Sequence, residues 1–84
     1  MNIVVHKETN EIGGIKFFQT VWDIGTGVPL KKRYQVELYW EGCGITGIWE
    51  FDTLDEAKSQ VKNKTEQILN GGENEKESKN EIQN

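Results

Sequence analysis

Glycines divide the first fifty residues into short segments that are rich in β-branched and aromatic side chains. The cuts fall at Gly13-Gly14, at Gly25-Thr26-Gly27 and at Gly42-Cys43-Gly44. Segments of this composition between turn residues indicate strands. The connections are too short for helical crossovers, so we expect a largely antiparallel sheet. The four predicted strands are Ile3–Lys7, Ile15–Ile24, Lys32–Trp40 and Ile45–Phe51.

The third and fourth segments show the clearest alternation of apolar and polar positions. Tyr34, Val36, Leu38 and Trp40 share one face of the predicted third strand. A turn through Glu41–Gly44 sets the register of the fourth strand against the third. A slip by one residue would turn every aromatic side chain to the other face, so we expect this register to be well specified. The predicted opposite pairs are Trp40 with Ile45, Val36 with Trp49, Tyr34 with Phe51, and the charged pair Arg33 with Asp52.

After Phe51 the hydrophobic period changes from two to that of a helix. Leu54, Ala57 and Val61 begin an apolar stripe that continues to Ile68 and Leu69. Thr53 and Glu56 have the spacing of a capping box, and Gly71 suits the position after a helix. The pattern therefore predicts an amphipathic helix over Leu54–Asn70 that packs on the Val36, Leu38, Trp40 and Trp49 face of the sheet.

The predicted fold class is α+β: a four-stranded antiparallel sheet with one C-terminal amphipathic helix packed on one face. Residues 1–72 form this single domain. Residues 73–84 contain one apolar side chain, too little to offset the entropy of ordering, and are expected to be a disordered acidic tail.

Composition limits the chemistry that the chain can perform. The 84 residues include one Cys and one His, which excludes an internal disulfide framework and a multi-thiolate metal site. The residues near Cys43 offer only Glu41 to activate its thiol, and His6 stands alone, so we expect no catalytic residue, no metal ligand and no cofactor. The first residues lack the basic start and long apolar run of a signal peptide, and we expect a soluble, cytoplasmic protein.

One helix covers only one face of a sheet, so the other face must contact water, a partner or a second chain. The alternation of the third and fourth strands places Glu37, Tyr39, Ile48 and Glu50 there, with Glu41 and Thr46. In the second strand both phases are apolar, and the pattern does not decide which one is buried. We predict a partner-binding patch with an apolar centre and a carboxylate rim. Its candidate residues are Tyr39, Ile48, Glu37, Glu41, Glu50, Phe17 and Val21. Coverage of this patch by loops, by the first strand or by the tail remains an alternative, as does a homodimer through the same face.

Nucleic-acid binding is the alternative function. Lys16, Lys31, Lys32 and Arg33 could contact a phosphate backbone while exposed aromatic rings stack on bases. The formal net charge of −4 lacks the basic excess that phosphate binding usually shows.

The stretch from Trp49 to Ala57 resembles the strand-to-helix junction of small three-stranded-sheet DNA-binding domains, namely the plant ethylene-response type and the arm-binding domains of tyrosine integrases. The resemblance implies an exposed sheet face that lies in the major groove. Where those families carry basic and aromatic sheet residues, this chain has Glu37, Glu41 and Glu50.

The functional hypothesis is a small non-catalytic protein-binding module that occupies the surface of its partner. In size, acidic balance, polar tail and lack of a catalytic set, the chain is similar to small inhibitors of host defence or host enzymes that are encoded by phages or mobile elements. A nucleic-acid enzyme is the class of partner that the carboxylates suggest, because they can take the place of phosphates.

Overall fold

The four strands in the described part of the chain form one antiparallel sheet in which neighbours along the sequence are neighbours in space. The structure is a computed structural model that describes residues 2–71. The strands are β1 (Ile3–Ile12), β2 (Ile15–Asp23), β3 (Tyr34–Trp40) and β4 (Gly44–Phe51), and the helix α1 spans Leu54–Leu69. The strand order is β1-β2-β3-β4, so β1 and β4 are the edges of the sheet. The predicted α+β class is confirmed, whereas the prediction of a disordered tail concerns residues 73–84, outside the described part of the chain.

The first strand is longer than the sequence pattern predicted. It continues through the polar stretch after Lys7 and ends at Ile12. The reason is the turn: Gly13 and Gly14 both have positive φ (59° and 81°), as a two-residue type I′ hairpin requires. This turn sets Ile12 opposite Ile15, and the pairing extends β1 along the whole of β2.

The pairing of β3 with β4 follows the predicted register at one end and departs from it at the other. Val36 lies opposite Trp49 and Tyr34 opposite Phe51, as predicted. The pairing shifts by one residue after Leu38, so the predicted pair of Trp40 with Ile45 is wrong. An extra residue in β4 produces this bulge, which an alternating pattern does not reveal.

The helix begins as the capping pattern predicted. The Thr53 hydroxyl accepts a hydrogen bond from the Glu56 N–H (3.2 Å), and the Glu56 carboxylate accepts one from the Thr53 N–H (3.2 Å). At the other end Gly71 has a φ of 96°, which terminates the helical path. The helix therefore matches the prediction to within one residue at its C-terminal end.

The hydrophobic core lies between the helix and one face of the sheet. Val21 and Val36 meet Ala57 and Val61, and all four are fully buried. Farther along the same face, the rings of Phe17 and Trp40 lie 4.8 Å apart between centroids. Because all of this packing is on one side, the described helix leaves the opposite side of the sheet uncovered. Four partly buried side chains surround the core: Tyr34, Trp49, Phe51 and Leu54.

Candidate functional site

The face of the sheet opposite the helix, here called the open face, receives side chains from all four strands. Residues that lie directly opposite each other in antiparallel strands point to the same side, so the observed register assigns them to cross-strand rows. The rows are Val4, Trp22, Gln35 and Glu50; Lys7, Thr20, Glu37 and Ile48; and Thr9, Phe18, Tyr39 and Ile45.

An aromatic and aliphatic cluster occupies the centre and one side of the open face. The Phe18 and Tyr39 rings lie 5.9 Å apart at an interplanar angle of 47°. Tyr39 is 42% exposed, Ile45 55% and Ile48 52%. Ile45 lies directly opposite Tyr39, and Ile48 lies opposite Glu37 in the next row, so large exposed apolar side chains of β3 and β4 are neighbours on this face. Groups of exposed apolar side chains of this kind often mark interaction sites.

One hydrogen bond holds Trp22, the other aromatic side chain of β2 on the open face. The Trp22 indole Nε1 donates a hydrogen bond to Glu37 Oε1 at 3.2 Å. One carboxylate oxygen of Glu37 is thereby engaged within the face. An indole whose polar group is satisfied presents a rigid apolar surface to a partner at low entropic cost.

A shallow cavity of about 270 Å³ lies between the charged and aromatic residues of the open face. Lys7, Phe18, Thr20, Glu37 and Tyr39 line it. The Lys7 Nζ lies 5.6 Å from the centroid of the Phe18 ring, a distance suited to a cation–π contact. One cation and one carboxylate flank the cavity, so it is suited to receive a polar or amphipathic side chain from another molecule.

Two basic residues of the alternative nucleic-acid site are engaged with carboxylates. Lys31 Nζ lies 3.3 Å from Glu50 Oε2. Arg33 donates from Nε and Nη2 to the two oxygens of Asp23, at 3.1 and 3.0 Å. Hydrogen bonds from Arg33 and from the Gly25 N–H lower the pKa of Asp23. The hydrogen bond to Asp23 and the charge of its carboxylate raise the pKa of Arg33. The predicted pairing of Arg33 with Asp52 is therefore wrong, since β3 begins only at Tyr34 and Arg33 turns to Asp23 instead.

Of the other basic candidates, Lys32 is exposed in the segment before β3, and Lys16 lies opposite Glu11 in the β1–β2 pairing. The structure does not collect the four basic residues into one unpaired cluster.

Two predicted partner-binding residues lie on the wrong side of the sheet for that role. Phe17 and Val21 are both 0% exposed and belong to the helix-side face. The buried phase of β2 also includes Gln19, whose amide donates to the Val61 carbonyl (3.1 Å) and to Thr65 Oγ1 (2.6 Å). Because Gln19 is polar, the sequence alone does not show that its alternating set of β2 residues, rather than the other set, is the buried one.

The remaining predicted residues keep their exposed or half-buried positions. Tyr39, Ile48, Glu37 and Glu50 lie on the open face as expected, while Glu41 is exposed in the turn between β3 and β4.

Sequence reasoning missed Phe18, Trp22, Lys7 and Ile45 as members of the open face. The Gly13-Gly14 turn was the available signal for Lys7, because a two-residue hairpin would have extended β1 alongside β2. Once β2 is oriented, its alternation assigns Phe18 and Trp22. No sequence signal marked the bulge that brings Ile45 opposite Tyr39.

His6 and Cys43, the candidates for catalysis or metal binding in the sequence, both lie outside the open face. The His6 Nε2 lies 3.0 Å from Glu8 Oε2, on the helix side of β1. Cys43 is exposed in the β3–β4 turn. Within residues 2–71, no three His, Cys, Asp or Glu side chains are placed to hold a metal ion.

Comparison of the chain with protein-family models, with curated proteins and with solved structures gave no match. Among residues 2–71, no helix has both the length and the apolar character needed to cross a membrane. The function proposed for this chain therefore has to rest on the geometry of the open face.

Proposed function

We propose that the chain is a non-catalytic binding module that attaches to a protein partner through its open face. The observation that carries the proposal is the cluster of exposed Tyr39, Ile45 and Ile48 with the half-buried Phe18, on a sheet face that no described element covers. Aromatic centres with polar surroundings are typical of protein interfaces. The cluster is also pre-organised, because its residues stand on paired strands backed by a packed core.

The charge around the cluster favours a protein over a nucleic acid. Lys31 and Arg33 each have a carboxylate partner, and Glu37 and Glu50 lie on the face itself. A phosphate backbone would have to break these pairs and approach the carboxylates. A protein surface with apolar side chains and mixed charges can meet the same groups without that cost.

The specific form of the proposal is inhibition of a nucleic-acid enzyme by a phage or mobile-element product. Its support is the net charge of −4 together with the exposed Glu41 beside the open face. In such a complex the carboxylates would contact the basic groove of the enzyme, and Tyr39 and Ile48 would provide the apolar centre.

The test is capture of a partner from the source cell with tagged protein, followed by affinity measurement on the captured protein. We expect Tyr39→Ala with Ile48→Ala to weaken binding by about tenfold or more, mainly through faster dissociation. Glu37→Gln keeps an acceptor for the Trp22 indole and removes one charge, so it should slow association and reduce its salt dependence.

The matched control carries the same kind of truncation on the exposed side of the helix, Lys58→Ala with Ser59→Ala. This variant should bind like the native protein. Equal binding by the open-face and helix-side variants would contradict the proposal. Binding to DNA or RNA alone that falls steeply with salt would favour the nucleic-acid alternative.

A further inference from the structure

β1 and β4 are the two edge strands of the sheet, and β1 presents a long outer edge. Ten residues, Ile3–Ile12, form this strand, and β2 pairs with only one of its sides. An unpaired edge presents a row of N–H and C=O groups to any strand that can lie beside it. Three consecutive apolar residues at its start, Ile3, Val4 and Val5, are 53%, 46% and 38% exposed.

The hairpin turn determines which main-chain groups this edge presents. In a two-residue type I′ turn the flanking residues, here Ile12 and Ile15, form a hydrogen-bonded pair. Hydrogen-bonded and non-hydrogen-bonded pairs alternate along an antiparallel ladder. The main-chain groups of Lys7, Thr9 and Glu11 are therefore directed away from β2, toward the outer edge. The 3.0 Å bond from the Glu41 N–H to the Lys16 carbonyl fits the same alternation, since it directs the even-numbered residues of β2 toward β3.

We propose that a second copy of this chain pairs with β1 along its outer edge, antiparallel and centred on Thr9. In this register Lys7 of each copy lies opposite Glu11 of the other, and Thr9 lies opposite Thr9. Each of these pairs can exchange both main-chain hydrogen bonds, because all of the groups involved point outward. Opposite charges directly across a ladder stabilise it, and like charges destabilise it.

The charges select this register over its neighbours. Centring the pair on Lys7 would place two lysines opposite each other, and centring it on Glu8 would place two glutamates opposite each other. The register shift between Val4 and His6 ends the regular part of the strand, so pairing is confined to residues 6–12. A contact of this length is small, and we expect association that depends on protein concentration.

The pairing would join two sheets into one continuous sheet of eight strands. A two-fold axis normal to the sheet relates the copies, so both open faces lie on the same side and both helices on the other. Pairing along the β1 edge needs only a second copy of the chain, so it does not depend on partner binding by the open face.

Sedimentation equilibrium of the full chain over a range of concentrations tests the proposal. We expect a reversible monomer–dimer equilibrium in the native chain. Lys7→Glu and Glu11→Lys should each weaken it by about tenfold or more, which corresponds to about 1.4 kcal/mol, because each creates two like-charge pairs. A mixture of the two single variants should recover dimers, since positions 7 and 11 of one variant then carry carboxylates and face ammonium groups at positions 11 and 7 of the other.

Two further variants separate edge pairing from other forms of association. Thr9→Pro removes an outward N–H and should abolish the dimer while circular dichroism shows a folded monomer. Tyr39→Ala leaves the edge intact and should dimerise like the native chain, whatever its effect on partner binding. A native chain that stays monomeric at millimolar concentration, or a mixture that fails to recover dimers, would overturn the proposal.

Discussion

Gly47 lies against the outer edge of the Trp49 indole ring, and the absence of a side chain at this position leaves room for the ring on the helix-side face. A Cβ at Gly47 would overlap Trp49 Cη2 and come within 2.9 Å of Cζ2 and Cζ3. Trp49 in turn packs against the core, and the Lys64 Nζ lies 5.1 Å from the centroid of the Trp49 ring. One glycine in β4 thus determines how the largest side chain of that strand meets the helix.

We predict that Gly47→Ala destabilises the protein by about 1–3 kcal/mol, because the added methyl group forces the indole out of position. Urea unfolding followed by circular dichroism measures the effect. In a Trp49→Phe background the smaller ring leaves room, and the same alanine should cost clearly less. An equal cost in both backgrounds would show that the indole is not the obstacle.

The Asp23 carboxylate makes stability depend on pH at the acid end. Hydrogen bonds from Arg33 and from the Gly25 N–H lower its pKa in the folded state below the ordinary value of an aspartate. A group whose pKa is lower in the folded state stabilises the fold fully above its unfolded pKa, and this contribution is lost as the pH falls through the folded pKa. The stabilisation by Asp23 is therefore present at neutral pH and disappears in acid.

We predict that the stability difference between the native chain and Asp23→Asn shrinks as the pH falls from about 5 to about 2. Urea midpoints of both proteins across this range provide the measurement. Since Asn cannot ionise, a difference that stays constant with pH would mean that the Asp23 charge does not contribute.

Gln19 shows why the two phases of β2 were indistinguishable in the sequence. It is the one polar side chain among residues 2–71 that is fully buried, and it bonds across the core to Val61 and Thr65 of the helix. Its phase mixes apolar Phe17 and Val21 with polar residues, and the opposite phase is mixed in the same way. The contact that decides between them joins residues 42 positions apart, and no local pattern reveals it.

At the level of elements, the helix start depends on one hydroxyl group. Thr53 and Glu56 satisfy each other's main-chain N–H groups before the first turn is complete. Asp55 and Glu56 also place negative charge at the positive end of the helix dipole. These interactions are local in sequence, which is why the helix start could be predicted from the chain.

We predict that Thr53→Ala lowers the free energy of unfolding by about 1 kcal/mol, because the Glu56 N–H loses its partner. Thr53→Ser keeps the hydroxyl and should stay close to the native value. Chemical denaturation of the three proteins makes the comparison. If the serine variant loses as much as the alanine variant, the cap is not the source of the effect.

The strands were predicted best where alternation is strict and worst where pairing decides the outcome. Val36 and Leu38 alternate cleanly with polar residues, so the buried face of β3 followed from the sequence. Residues 8–11 are polar and do not favour a strand by composition, yet pairing with β2 makes them one. The bulge near Tyr39 likewise arises from the geometry of two strands together.

For the whole molecule, the fold class could be predicted because strand segments, short turns and a capped helix are all local signals. The open face could be predicted only in part, for its β3 residues and for Ile48 and Glu50 of β4. Its other half required knowing which way β2 faces, and that depends on packing against the helix. The partner-binding role of the face stays a prediction that the capture experiment addresses.

The sequential order of the strands also bears on how the chain reaches its native state. Each strand pairs with the next one along the chain, so the sheet forms from contacts of short sequence separation. Folding is faster when contacts are local, because little loop entropy is lost before a contact forms. The exceptions are the contacts of the helix with β1 and β2, such as that of Gln19 with Val61. We therefore expect the hairpins to assemble first and the docking of the helix across them to complete folding.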